Sequence, residues 1–129
     1  MEPATVAGLA DELAAYDELV EVGIGRRTDV ARALADRGRR VTATDVHPRE
    51  TPDGVLFVLD DVVEPDPAIY DEAGAIYALN LPPELHRPTR DLARRVDADL
   101  LFTTLGGDAP EVPVSRRALP RETLFVAER

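Results

Sequence analysis

Residues 19–45 decide the fold: Leu19-Val20-Glu21-Val22-Gly23-Ile24-Gly25, then Arg26-Arg27-Thr28-Asp29-Val30-Ala31-Arg32-Ala33-Leu34-Ala35-Asp36-Arg37, then Gly38-Arg39-Arg40-Val41-Thr42-Ala43-Thr44-Asp45. The first run is apolar except for Glu21 and predicts a strand over 19–23. Val30 with Leu34 and Ala31 with Ala35 recur at helical spacing, so a helix follows. Thr28 or Arg27 stands at its N-cap, Asp29 in its first turn, and Gly38 suits the position just past its end. A second strand over 41–45 closes on Asp45. Glycine at 23 and 25 lets the chain turn tightly and leaves N–H groups bare at a helix N-terminus, where an anion or polar ligand can approach. An acidic residue about 20 positions on, at the tip of the next strand, can accept hydrogen bonds from ribose hydroxyls. Gly23, Gly25 and Asp45 together therefore predict a nucleoside-type ligand.

Working outward, Val6, Leu9, Ala10 and Leu13 place an amphipathic helix over about 4–16. Further strands are predicted at 55–59, 75–79, 99–105 and 123–127. A helical turn falls near 67–70, and a helix from the Asn80-Leu81-Pro82-Pro83 segment to Val96, with Pro88 as a point of kinking. Apolar strands of about five residues alternating with helices specify an α/β, doubly wound, mostly parallel sheet of five or six strands with helices on both faces. The expected layout is one Rossmann-like domain over 1–129. It has an N-terminal helix (4–16), a nucleoside-binding half (17–62) and a second half (63–129), and the 19–23 strand lies between those at 41–45 and 75–79.

Composition narrows the function classes. No apolar run approaches the ~18 residues needed to span a bilayer, so a soluble, cytoplasmic protein with no membrane partner is expected. The absence of cysteine excludes disulfides, thiolate metal sites and cysteine nucleophiles, and two histidines are too few for a histidine-rich metal centre. The formal net charge is −10, and all 15 basic residues are arginine. No basic stripe is available to neutralise phosphates, which disfavours nucleic acid. An acidic, lysine-free chain also fits a salt-loving habitat, where the Debye length is ~3 Å at 1 M and self-repulsion is screened.

Ligands in such sheets sit beyond the carboxyl ends of the strands. The tips present Gly23–Gly25, Asp45, Asp60 with Asp61, Asn80-Leu81-Pro82-Pro83, and Gly106-Gly107-Asp108. Thr28 stands where the dinucleotide fingerprint wants a third glycine, which disfavours NAD, and without lysine there is no phosphate-binding P-loop. Arg26 and Arg27 are poorly placed for the helix dipole and point to an anion: a carboxylate or phosphate ligand, or a nearby acidic side chain. His47 reads as a loop residue and His86 as an exposed helix residue.

Glu21-Val22-Gly23-Ile24-Gly25, an acidic residue two before a Gly-x-Gly turn, resembles the first motif of class I S-adenosylmethionine-dependent methyltransferases. Asp45 falls where that family holds the ribose, Asp60-Asp61 where it contacts adenine, and Asn80-Leu81-Pro82-Pro83 is similar to the Asn/Asp-Pro-Pro-aromatic motif of amino-methylating members. Over residues 15–127 the chain resembles a small uncharacterised archaeal family of methyltransferase-like Rossmann fold, found in salt-loving archaea among others. The resemblance implies S-adenosylmethionine or a related adenine nucleoside as ligand, with Glu21, Gly23, Gly25, Asp45, Asp60, Asp61 and Asn80 around it.

The departures bear on activity. Arg27 replaces the third glycine of the family motif, where it either blocks the methionine portion of the cofactor or binds its carboxylate. Leu81 interrupts the fourth-strand motif, and Glu84 replaces the aromatic residue. The chain is also expected to lack the family's antiparallel final hairpin. Adenosine recognition should survive these changes better than catalysis, and a second subunit or partner chain would have to complete the substrate side. The rivals are a non-catalytic nucleotide-binding or regulatory module and an NAD-binding protein.

Overall fold

The computed structural model describes residues 1–129. Its core is a seven-stranded sheet in the order β3-β2-β1-β4-β5-β7-β6. The strands are β1 (Glu18–Val22), β2 (Arg40–Asp45), β3 (Val55–Leu59), β4 (Ala75–Ala78), β5 (Asp99–Phe102), β6 (Val114–Leu119) and β7 (Glu122–Ala127). Strands β1 to β5 are parallel, and β7 pairs antiparallel with both β5 and β6. β1 lies between β2 and β4, as the glycine turn after it required.

Alternation along the strands sorts the core into two layers. Leu19, Val41, Ala43, Val55 and Tyr77 face Leu9 and Leu13 of helix α1 (Pro3–Leu13) and Val30, Ala31 and Leu34 of α2 (Asp29–Asp36). Val20, Val22, Ile76, Ala78, Leu100 and Phe102 face the other way, onto Leu92 and Ala93 of α3 (His86–Arg95) and onto Tyr70. Each fully buried large apolar side chain contributes about 1.5–3 kcal/mol by leaving water. α2 ends in a Schellman motif: Gly38 N–H donates to Ala35 O and Arg39 N–H to Leu34 O, with Gly38 at φ +79°. That turn sets the short path from α2 into β2.

Several expectations change. The chain has room for a terminal antiparallel hairpin after all, because Pro120 and Arg121 (φ 59°) make a tight turn within 114–127. The sheet therefore has seven strands. The polar run Ser115-Arg116-Arg117 hid β6, an exposed edge strand with no apolar alternation to read. Pro88 kinks nothing: it lies in the first turn of α3, preceded by a 3₁₀ turn at Pro83–Leu85, where a missing N–H is harmless. Between β3 and β4 only a 3₁₀ turn (Pro67–Ile69) intervenes, so Leu56 and Leu59 on edge strand β3 remain exposed. No helix is long and apolar enough to cross a membrane.

His86 is the largest reversal. It is fully buried, with Nε2 2.9 Å from Leu81 O, Nδ1 accepting from Glu111 N–H at 3.0 Å, and its ring 4.7 Å from that of Phe102. The two bonds define a neutral ring protonated at Nε2. A polar residue on a short, highly charged helix looks exposed in sequence, but here it pins two loops to the sheet.

Candidate functional site

The carboxyl ends of β1, β2 and β4 open onto a cleft of about 390 Å³. Its walls include Glu21, Gly23, Gly25, Arg27, Asp45, Arg49, Leu79, Asn80, Pro82 and Leu85. Five of the seven residues singled out for a nucleoside ligand, Glu21, Gly23, Gly25, Asp45 and Asn80, thus meet in one place.

The turn after β1 bends through positive φ at both glycines, +69° at Gly23 and +57° at Gly25, a region that disfavours any side chain. Gly23 and Ile24 N–H both donate to Thr44 O, which locks the turn to the end of β2. Gly25 N–H donates to Asp45 Oδ2 at 2.8 Å and His47 N–H to Asp45 Oδ1 at 2.9 Å. The spacing of 20 residues is therefore a direct contact: the carboxylate organises the glycine turn itself rather than standing free on its open side. Burial pushes the Asp45 carboxyl up, but the two N–H donors and the Arg49 charge outweigh it and hold it below the usual aspartate value. Arg49 Nε lies 3.4 Å from Asp45 Oδ2, close enough for charge attraction but without hydrogen-bond geometry.

Glu21 is 1% exposed and directly opposite Tyr77 in the β1–β4 register. Neither Glu21 Oε1 nor the Tyr77 hydroxyl has a hydrogen-bond partner, although both are buried. Burial pushes the Glu21 carboxyl up to about 8, only partly offset by the neighbouring Tyr77 hydroxyl and the Arg27 charge. A buried acid oxygen without a partner costs the fold, and this one stands in the cleft wall.

Asn80 occupies a left-handed conformation (φ 55°) at the end of β4. Its N–H donates to Thr103 Oγ1 at 2.8 Å, and Leu81 N–H donates to Thr103 O at 2.9 Å, which fixes the Asn-Leu-Pro-Pro segment against β5. With its amide oxygen turned toward the β1 turn, Asn80 accepts from Arg27 Nη1 at 3.1 Å. The exposed Arg27 side chain thus bridges the first and fourth strands across the cleft.

Asp60 and Asp61 lie elsewhere. Asp60 Oδ2 accepts from the Tyr70 hydroxyl at 2.6 Å and Oδ1 from Asp66 N–H, so it braces the β3–β4 connection. Asp61 accepts from Val63 N–H in an exposed local turn. Arg49, Tyr77, Thr103 and His86 were not legible as site residues. They sit in a turn-rich loop, in strands that read as core, and on a charged helix; Arg49 lines the cleft, whereas Tyr77 lies opposite Glu21, Thr103 holds Asn80 and His86 holds Leu81 behind it.

The fold has well-defined counterparts. An RNA methyltransferase from Salinibacter ruber, solved with S-adenosyl-L-homocysteine, superposes with a TM-score of 0.69 at 20% identity, covering 98% of this chain and 91% of that one. A TehB-like SAM-dependent methyltransferase from Corynebacterium glutamicum gives a TM-score of 0.64 at 15% identity, covering 97% and 86%. At such identities the likeness is one of fold, and it establishes a Rossmann-like, methyltransferase-type architecture. In sequence, a UPF0146 protein of Halobacterium salinarum is 52% identical over 127 residues, 98% of this chain and 96% of the relative. The family model described as "Uncharacterised protein family (UPF0146)" matches residues 4–129, and the chain belongs to that family.

Proposed function

We propose that the cleft binds S-adenosylmethionine, or a close adenine nucleoside with an amino-acid tail, and that the protein acts as a small methyltransferase-type domain. The observation that carries this reading is the unpartnered, buried Glu21 facing the same cleft as Arg27. A zwitterionic amino-acid group needs one anion for its ammonium and one cation for its carboxylate, and these two side chains supply them. Asp45 offers the ribose hydroxyls the lone pairs left over from Gly25 and His47. The glycine turn lets the ligand approach the backbone closely.

Bound S-adenosylmethionine would supply an electrophilic methyl group, and the protein's task would be to hold it in line with a nucleophile. Asn80, Pro82 and Leu85 form the wall at the β4 end, where an acceptor would stand. Asn80 can orient an amine through its amide oxygen once Arg27 turns to the ligand. Structures solved with S-adenosylhomocysteine support the choice of ligand, since that of Salinibacter ruber is hardly longer than this chain. Thermal unfolding in molar KCl with S-adenosylmethionine, S-adenosylhomocysteine, NAD and ATP tests the reading. A ligand at 100 times its Kd stabilises by about 2.7 kcal/mol. Stabilisation by the two sulfur nucleosides alone is the expected result, and a larger shift with NAD refutes it.

A further inference from the structure

A second groove, about 620 Å³ in volume, adjoins the cleft between the start of α2 and the loop that follows β2. Apart from Pro48 and Pro52, its lining is glycine and polar or charged side chains. Arg26 and Arg32 reach it from the α2 side and Arg49 from the loop, against a single acidic wall residue, Glu50. In a chain of net charge −10 this is a local excess of positive charge. Asp29 in the first turn of α2 and Asp45 beneath Arg49 are the other nearby carboxylates.

Half of the twelve arginines outside the groove are neutralised by an acid. Arg37, Arg40, Arg90, Arg117, Arg121 and Arg129 each pair with a carboxylate. The Arg26 and Arg32 side chains make no hydrogen bond or ion pair, and Arg49 Nε, 3.4 Å from Asp45 Oδ2, is buried without a hydrogen-bond partner. A buried donor left unmet, next to two free guanidinium groups, suits an anionic ligand. Thr28 leaves α2 without a side-chain cap, so the helix end adds N–H groups of the same sign.

We propose that this groove binds a phosphate group, through Arg26, Arg32 and Arg49, on a ligand of nucleotide size. Phosphate fits better than a carboxylate because its three oxygens and nearly two charges can engage three guanidinium groups at once. The groove is much larger than one phosphate and shares Gly25, Arg26 and Arg49 with the cleft, so a nucleoside in the cleft can extend a phosphate into it. The groove's chemistry stands whether or not the cleft takes S-adenosylmethionine.

Calorimetric titration of the full chain with adenosine, adenosine 5′-monophosphate and inorganic phosphate tests this, using Arg32→Ala and a control, Arg95→Ala. Arg95 is another arginine without a partner, on α3 and outside both cavities. The monophosphate should bind more tightly than adenosine, and Arg32→Ala should remove at least about tenfold of that advantage. Adenosine affinity should stay unchanged in both variants, and Arg95→Ala should leave all three ligands unaffected. Arginine-dependent binding of inorganic phosphate alone would support the groove, assign it to free phosphate and count against the nucleoside reading of the cleft. No saturable binding of either phosphate compound, or equal losses in both variants, would overturn the proposal.

Discussion

Glu21→Gln is the perturbation whose outcome can be worked most fully from the structure. Glutamine matches the shape of glutamate but cannot ionise, so it isolates the buried proton. In the fold the carboxyl lies at about 8 against 4.5 for a free glutamate side chain. Between these values the native chain holds a proton that the unfolded chain has lost, so stability falls as pH rises through the window. The slope is about 1.4 kcal/mol per pH unit, giving about 3 kcal/mol of penalty by pH 7 and a ceiling near 5 kcal/mol above pH 8. Urea unfolding of both chains at fixed KCl and pH 5, 6, 7 and 8 measures the difference, and every titration they share cancels. The Gln variant should gain on the wild type by about 1–1.4 kcal/mol per unit. Ligand binding should follow the opposite course: if an ammonium meets ionised Glu21, affinity rises toward tenfold per pH unit below about pH 8 and the variant shows no such rise. Parallel stability curves for the two chains would refute the claim that Glu21 is folded in its acid form.

Asp45→Asn keeps one acceptor oxygen but loses the charge that serves Gly25, His47 and Arg49, and should destabilise by about 1–3 kcal/mol in urea unfolding at pH 7. Because the folded Asp45 carboxyl is lowered, this stability is present above its ordinary value of 3.8 and lost as pH falls through the folded one. The two curves should therefore converge in acid. Arg27→Ala should weaken S-adenosylmethionine binding at least about tenfold in calorimetry if the guanidinium holds the ligand's carboxylate; tighter binding would identify Arg27 as a plug against Asn80. His86→Ala should cost about 3–5 kcal/mol, since it opens a cavity beside Phe102 and strands Leu81 O and Glu111 N–H, and a loss below about 1 kcal/mol in urea unfolding would contradict that account.

What could be read from the chain, and what could not, divides on whether the deciding interaction is local. The strand-turn-helix-strand unit at 19–45 was legible because each part has its own signal: an apolar run, two glycines in left-handed turns, a 3.6-residue period and a closing aspartate. The position of β1 between β2 and β4 followed, since the glycine turn marks the first unit of a doubly wound sheet. The hairpin β6–β7 was hidden because an edge strand exposed to solvent needs no apolar alternation. His86 was misread because its environment comes from residues 81, 102 and 111, none of which helical periodicity can place around it. The same limit applies at the cleft. Glu21 and Asp45 could be picked out, but their different states could not: Asp45 meets two N–H groups and an arginine and is held ionised, whereas Glu21 is buried opposite Tyr77, with only a partial offset from that hydroxyl and the Arg27 charge, and is pushed toward its acid form. Two carboxylates on neighbouring strands are thereby set to opposite states, one ionised and bracing the turn, the other pushed toward its acid form. A ligand that satisfied both would have to bring hydroxyls to the first and an ammonium to the second.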